Sequence, residues 1–299
     1  MIDQATRLRE LAAAYRAQAT SSRMHRTKAI AVTSGKGGVG KSNLSINLAH
    51  ALIAAGKEVL LLDADLGLAN ADILMGIVPA YHLGHLLKGE RDILELIHRT
   101  PTRLKLIAGG SGLAELVNLS ESQLRPFLNA LSKLDGQADY LILDTGAGIG
   151  PAVQEFVLAA DTALVVTTPE PTALADAYGA IKALSRRGRD LDLRLVINQA
   201  EKQGEAAMAA ERIITTARDF LGVNVEYLGT VPRDPIVWQA VRRQVPFIVG
   251  YPSAPASRAV EAMAARLLAG VPADPARSRP AGFFERLASL FGRRDSNAG

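Results

Sequence analysis

Between residues 28 and 270, short apolar runs alternate with longer stretches rich in alanine and leucine. Seven runs, at 29–33, 58–63, 104–107, 139–144, 162–167, 193–198 and 225–231, are nearly continuous in apolar residues. A strand with no polar face is one covered on both sides, so these runs predict parallel strands in the middle of a layered fold. The stretches 41–55, 121–134, 173–186 and 204–221 predict helices. Alternation at this spacing predicts an α/β class, a doubly wound, mostly parallel sheet. A stretch rich in proline, alanine and arginine at 270–282 separates this body from a last apolar segment, and a polar stretch at 19–27 separates it from a first helical one. The organisation predicted is an N-terminal helix and linker at 1–28, one domain at 29–270, and a linker with an amphipathic helix at 271–299.

Composition narrows the chemistry. The 299 residues are 48% hydrophobic and 21% charged, the ordinary globular range, and they include no cysteine. That removes disulfides, thiolate metal sites, iron–sulfur clusters and cysteine nucleophiles together. Neither a long apolar span nor a cleavable leader is evident, which points to a soluble, cytoplasmic protein. Net charge is +4, and it is placed unevenly. Residues 1–28 carry six basic side chains against two acidic, and residues 271–299 five against three, so the middle is slightly acidic. Basic ends on such a body suggest tails that meet an anionic or acidic partner.

The strongest chemical signal is Gly35-Lys36-Gly37-Gly38-Val39-Gly40-Lys41-Ser42, directly after the first strand and opening the first long helix. This is the P-loop pattern in its required context. Glycines let backbone N–H groups converge on phosphate oxygens, and the helix N-terminus adds a positive end. Lys41 can reach the β- and γ-phosphates while the Ser42 hydroxyl ligates Mg²⁺, with Asn43 next in the same turn. Two further strands deliver carboxylates at their C-terminal ends: Asp63 and Asp65 on one face of one strand, and Asp144 on another. An apolar strand ending in one aspartate beside a P-loop is the Walker B arrangement, which places Asp144 with Ser42 at the metal.

Lys36 is unusual in a plain P-loop. With it the motif resembles the deviant Walker A motif of the MinD/ParA group of ATPases, which implies a P-loop fold of MinD-like topology. The resemblance implies that Lys36 reaches across a homodimer to the partner's nucleotide, and that Lys41 and Asp65 complete the catalytic set, Asp65 positioning the attacking water. It also implies that adenine is held late in the chain, at Asn198 and at Pro232, Arg233 and Asp234. The Asn198 amide offers a donor and an acceptor, yet each of these positions can equally be a strand-end turn. The implied cofactors are ATP and Mg²⁺, and the implied activity is slow, dimerisation-dependent ATP hydrolysis.

Both ends carry further patterns. Asp3 can cap a helix whose apolar residues Leu8, Leu11 and Tyr15 form one narrow stripe beside arginines. Asp3-Gln4-Ala5, followed by Leu8-Arg9, resembles the activator motif of the FlhG family of flagellar-number regulators. So does the later segment Pro246-Phe247 with Tyr251-Pro252-Ser253-Ala254-Pro255-Ala256-Ser257-Arg258-Ala259. That resemblance implies a partner, the signal-recognition-type GTPase FlhF, whose attacking water Gln4 helps arrange. It leaves room for a flagellar transcriptional regulator or basal-body component as another.

At the other end, Phe283, Phe284, Leu287, Leu290 and Phe291 fall on one helical face beside Arg286, Arg293 and Arg294, the signature of an interfacial helix. The same pattern suits a helix docked on its own domain, and in a MinD-like protein one helix can do both. The expected reading is therefore a switch that binds the anionic inner membrane as an ATP dimer, from the cytoplasmic face, and sets flagellar number or placement. The alternative is a partition or division-site ATPase whose basic ends meet DNA or another regulator. A metal-cluster carrier is discarded for want of cysteine.

Overall fold

The structure is a computed structural model that describes residues 26–65, 70–110, 121–148, 150–187, 191–270 and 281–292. In chain order the elements begin with β1 (Lys28–Ser34), α1 (Lys41–Ala54), β2 (Val59–Ala64), α2 (Ala71–Leu74) and α3 (Leu83–Leu87). A 3₁₀ turn, Ile93–Leu96, leads to β3 (His98–Arg99), β4 (Lys105–Ile107), α4 (Glu121–Ser132), β5 (Tyr140–Ala147) and α5 (Pro151–Ala159). Then follow β6 (Thr162–Thr167), α6 (Pro171–Ser185), β7 (Asp192–Ala200), α7 (Gln203–Leu221) and β8 (Val225–Pro232). Four helices close the chain: α8 (Pro235–Arg242), α9 (Phe247–Gly250), α10 (Pro255–Ala269) and α11 (Phe283–Gly292).

All eight strands form one sheet in the order β3-β4-β2-β5-β1-β6-β7-β8. Every pairing is parallel except that of the two-residue edge strand β3 with β4. The seven strands expected from apolar runs are all present. Side chains alternate between two separate cores. Ala29, Ala31, Leu60, Leu62, Leu141 and Leu143 face α4, α5, α6 and α7, whereas Ile30, Val32, Val59, Leu61 and Ile142 face α1, α9 and α10. This two-sided burial is why these strands show no polar alternation. β1 lies between β5 and β6, so the turn after β1 opens at the centre of the sheet's C-terminal edge, where folds of this kind hold ligands.

Residues before and after the sheet are drawn into the body. Thr27 is buried, its hydroxyl donating to the Ala138 carbonyl at 2.7 Å and accepting from the Gly136 N–H. α11 is docked against α4 and α5: Phe283, Phe284, Leu287 and Phe291 are buried there, with Leu290 partly so. Arg286 fastens this helix, its Nε donating to the Ala159 carbonyl at 2.7 Å and its Nη2 pairing with Asp161 at 2.5 Å. Asp161 accepts in turn from the Ala29 N–H at 2.8 Å, so the tie runs from α11 to the first residues of β1. Among the described residues no helix is long and apolar enough to cross a membrane.

Candidate nucleotide site

The loop between β1 and α1 owes its course to two glycines. A Cβ on Gly35 would lie 2.1 Å from the Asp176 carbonyl oxygen of α6, so no side chain fits. Gly40, which caps α1, sits in the left-handed region at φ 92°, a conformation L side chains rarely adopt. No side chain caps α1, and no acidic residue stands in its first turn. Its leading N–H groups are left for an anion.

Lys41 is buried at the start of α1, and burial lowers its ammonium from the usual lysine range, opposed by Asp144 and Asp65. Asp144 is almost wholly buried within β5, which runs three residues past it to Ala147 rather than ending at the aspartate as its apolar run implied. Its Oδ1 accepts from Ser45 Oγ at 3.1 Å, while its Oδ2 is buried with no hydrogen-bond partner among the described residues. Burial pushes this carboxyl up to about 6, although Ser42, Ser45 and Lys41 all favour its charged form. A buried carboxylate oxygen without a donor, beside a serine hydroxyl, supplies oxygen ligands of the kind a hard divalent cation takes. Ser42 and Asp144 therefore fit Mg²⁺.

Asp63 has a different occupation. It accepts backbone N–H groups from Asp65 at 3.2 Å and from Asn70 and Ala71 at 3.0 Å each, which anchors both ends of the loop that follows β2. Burial and the neighbouring Asp144 push its carboxyl up to about 7, against the pull of those donors. Asp65 stands half-buried above this anchor, and a Cβ on Gly146 would come within 3.1 Å of its Oδ1. Lys41 thus lies within electrostatic reach of both Asp65 and Asp144, and Asp63 supports the loop. Residues 66–69 of the same loop lie outside the described residues.

Lys36 stands at the rim, its Nζ 3.2 Å from both Glu170 Oε2 and Thr172 Oγ1 at the start of α6. Within one chain it is paired with Glu170 and half-exposed.

Beside the P-loop lies a cavity of about 370 Å³. Its lining unites residues far apart in sequence: Gly40, Asn43 and Leu44 with Asn198, Pro232, Arg233 and Asp234. The Asn198 amide donates to the Val39 carbonyl at 2.7 Å, tying this cavity to the phosphate loop. Asp234 is spent locally, accepting from Ile236 N–H at 2.9 Å and Ala256 N–H at 3.2 Å, and Arg233 pairs with Glu201 at 2.6 Å. Of the late residues expected at a base, all line the cavity, but only Asn198 is also bonded to the P-loop.

The sequence reading did not single out four participants. Ser45 holds Asp144, Glu170 and Thr172 hold Lys36, and Trp238 forms part of the cavity wall. Ser45 stands three residues after Ser42 on the same helix face, a spacing that points it at the same carboxylate. Asp3, Gln4, Ala5, Leu8 and Arg9 lie outside the described residues, as do Arg293 and Arg294.

Residues 30–247 match the CobQ/CobB/MinD/ParA nucleotide binding domain. The chain is 38% identical over 265 residues to the antiactivator FleN of Pseudomonas aeruginosa, covering 88% of this chain and 94% of that one. It is 39% identical over 220 residues to the flagellum site-determining protein YlxH of Helicobacter pylori, covering 73% and 74% respectively. Its fold superposes on the septum site-determining protein MinD of Pyrococcus horikoshii, solved with Mg-ADP, at a TM-score of 0.66 and 24% identity, over 82% of this chain and 98% of that one.

Proposed function

The chain belongs to the CobQ/CobB/MinD/ParA nucleotide-binding family and is a P-loop ATPase of the FlhG type, and from that premise we propose an ATP-dependent dimerising switch that regulates flagellar number or placement. The name of its Helicobacter relative, a flagellum site-determining protein, supports the flagellar role.

The chemistry assigned to the site follows from its residues. The N–H groups of the P-loop and α1 bind the triphosphate, and Lys41 draws charge from its terminal oxygens. Ser42 and Asp144 would hold Mg²⁺, which when bound would supply positive charge to the phosphate oxygens. Asp65, placed by the N–H bond to Asp63, orients the attacking water. Lys36 leaves Glu170 and Thr172 and serves the nucleotide of a second copy, which makes turnover dependent on pairing.

One observation carries the switch: α5 is the seat of α11, and it begins directly after the loop that leaves Asp144. A γ-phosphate that pulls this loop inward also moves the helix on which Phe284, Leu287 and Phe291 rest. Release frees an amphipathic face for anionic lipid on the cytoplasmic side of the inner membrane. Two such helices in one dimer raise apparent membrane affinity by about 10²–10⁴ through effective concentration. The N-terminal residues Asp3, Gln4, Ala5, Leu8 and Arg9 act on the GTPase FlhF, Gln4 entering its active site.

Two measurements test this. Scattering with Mg²⁺ and a non-hydrolysable ATP analogue is expected to give dimers that sediment with anionic vesicles; single chains would remove the mechanism. A peptide of residues 1–20 is expected to stimulate FlhF GTPase, and its Gln4→Ala form is not. Silence of the intact peptide would remove that assignment and leave the ATPase.

A further inference from the structure

Trp238 is the only tryptophan of the chain, and 63% of its surface is exposed. It lies on the wall of the cavity beside the P-loop, with Val237, Val241 and Phe247. One turn later on α8, the Arg242 guanidinium stands 4.7 Å over the indole ring. α8 is itself fixed at its start, because Asp234 caps it and also receives the Ala256 N–H of α10. The indole is therefore carried by an anchored helix and braced from one side by a cation.

Several polar groups around the same cavity are already engaged by the protein. Asp234 accepts from two backbone N–H groups, Arg233 pairs with Glu201, the Asn198 amide nitrogen donates to Val39 and that of Gln199 to Gly38. The amide oxygens of Asn43, Asn198 and Gln199 are acceptors on the lining for an exocyclic amine. Acceptors for an amine do not by themselves distinguish adenine from cytosine, since both present one. What differs between those bases is the area of the ring face, and the wall that can sense area is apolar and aromatic.

We propose that Trp238, braced by Arg242, is the base-stacking residue that determines specificity, making the cavity select the larger face of a purine over a pyrimidine. The proposal rests on the nucleotide reading of the cavity and adds to it the origin of base preference. Stacking on an aromatic side chain responds to any π-face and grows with its area, so discrimination appears between ring sizes and the amide acceptors of the lining refine it. The exposed indole gains cover only when a base is present.

The test uses the full chain with Mg²⁺. Because the protein has one tryptophan, its intrinsic emission is expected to change saturably with ADP or ATP, with the midpoint found by calorimetry. Wild-type protein is expected to favour ATP over CTP in kcat/KM by about tenfold or more, and Trp238→Ala to shrink that ratio to about twofold, the loss falling mainly in KM. Trp238→Phe, which keeps an aromatic face, should retain most of the preference and shows that a fold defect is not responsible. An unchanged ATP-to-CTP ratio in Trp238→Ala, or an emission spectrum indifferent to bound ADP, overturns the proposal alone. Failure of the wild-type chain to bind any nucleotide by calorimetry overturns the underlying reading and this one with it.

Discussion

Asp63 and Asp144 are register partners on the adjacent parallel strands β2 and β5, both shut off from solvent, yet only Asp63 is surrounded by N–H donors. Asp144 keeps a buried oxygen with no hydrogen-bond partner among the described residues. The pair divides its labour accordingly. Asp144→Asn should reduce Mg²⁺-dependent ATP hydrolysis by at least about 100-fold while leaving the nucleotide-free melt unchanged or higher, because a buried charge is gone. Asp63→Ala leaves three backbone N–H groups without their acceptor and should cost about 3 kcal/mol in denaturant unfolding. Equal stability losses in the two variants would sink this division.

Lys36 makes an exposed pair with Glu170. Exposed pairs contribute about 0–1 kcal/mol, so Lys36→Ala should scarcely alter the melt. Turnover should nevertheless fall about tenfold or more, together with dimer formation in scattering. Full turnover in this variant would show that Lys36 has no part in the reaction.

The seat of α11 depends on Leu287, fully buried, and on the Arg286 tie to Asp161 and Ala159. Leu287→Ala should destabilise the docked state by about 2–5 kcal/mol and also weaken any lipid contact. Arg286→Ala loosens the seat without removing an apolar group. Limited proteolysis near the C-terminus should then quicken, and nucleotide-free protein should sediment several-fold more with anionic vesicles. Vesicle binding unchanged from wild type in Arg286→Ala would mean that docking does not restrain the helix.

His50 lies buried in α1, its Nδ1–H donating to the Ile46 carbonyl at 2.8 Å and its Nε2 accepting from the Thr102 hydroxyl at 2.8 Å. Burial lowers its pKa below the usual 6.5. The unfolded chain takes up this proton first, so stability is full above about pH 6.5 and is lost as pH falls towards the folded-state value. Thermal melts from pH 7.5 to 5 should show His50→Gln losing less than wild type on acidification; parallel curves would remove His50 as the cause.

How far the residues alone disclose this molecule varies by element. Strands buried on both faces announce themselves as unbroken apolar runs, which is why β1, β2 and β4 to β8 were legible. β3 has two residues and no period to read. α2, α3 and α9 span four or five residues each, too few for a helical stripe. The P-loop and its carboxylates were legible because their chemistry demands fixed spacing. The partners chosen by Ser45, Lys36 and Trp238 depend on strands brought together across the fold. For α11 the amphipathic pattern identifies an apolar face, but periodicity does not tell which surface that face will meet.

α5 has nine residues, hence a length of about 14 Å, with the loop that follows the Asp144 strand at one end and the hold on α11 along its side. The residues proposed for hydrolysis, Lys41 and Asp65, are distinct from those proposed for adhesion, Phe284, Leu287 and Phe291. Under that proposal dwell time and grip can be tuned separately, by substitutions in separate elements of the fold.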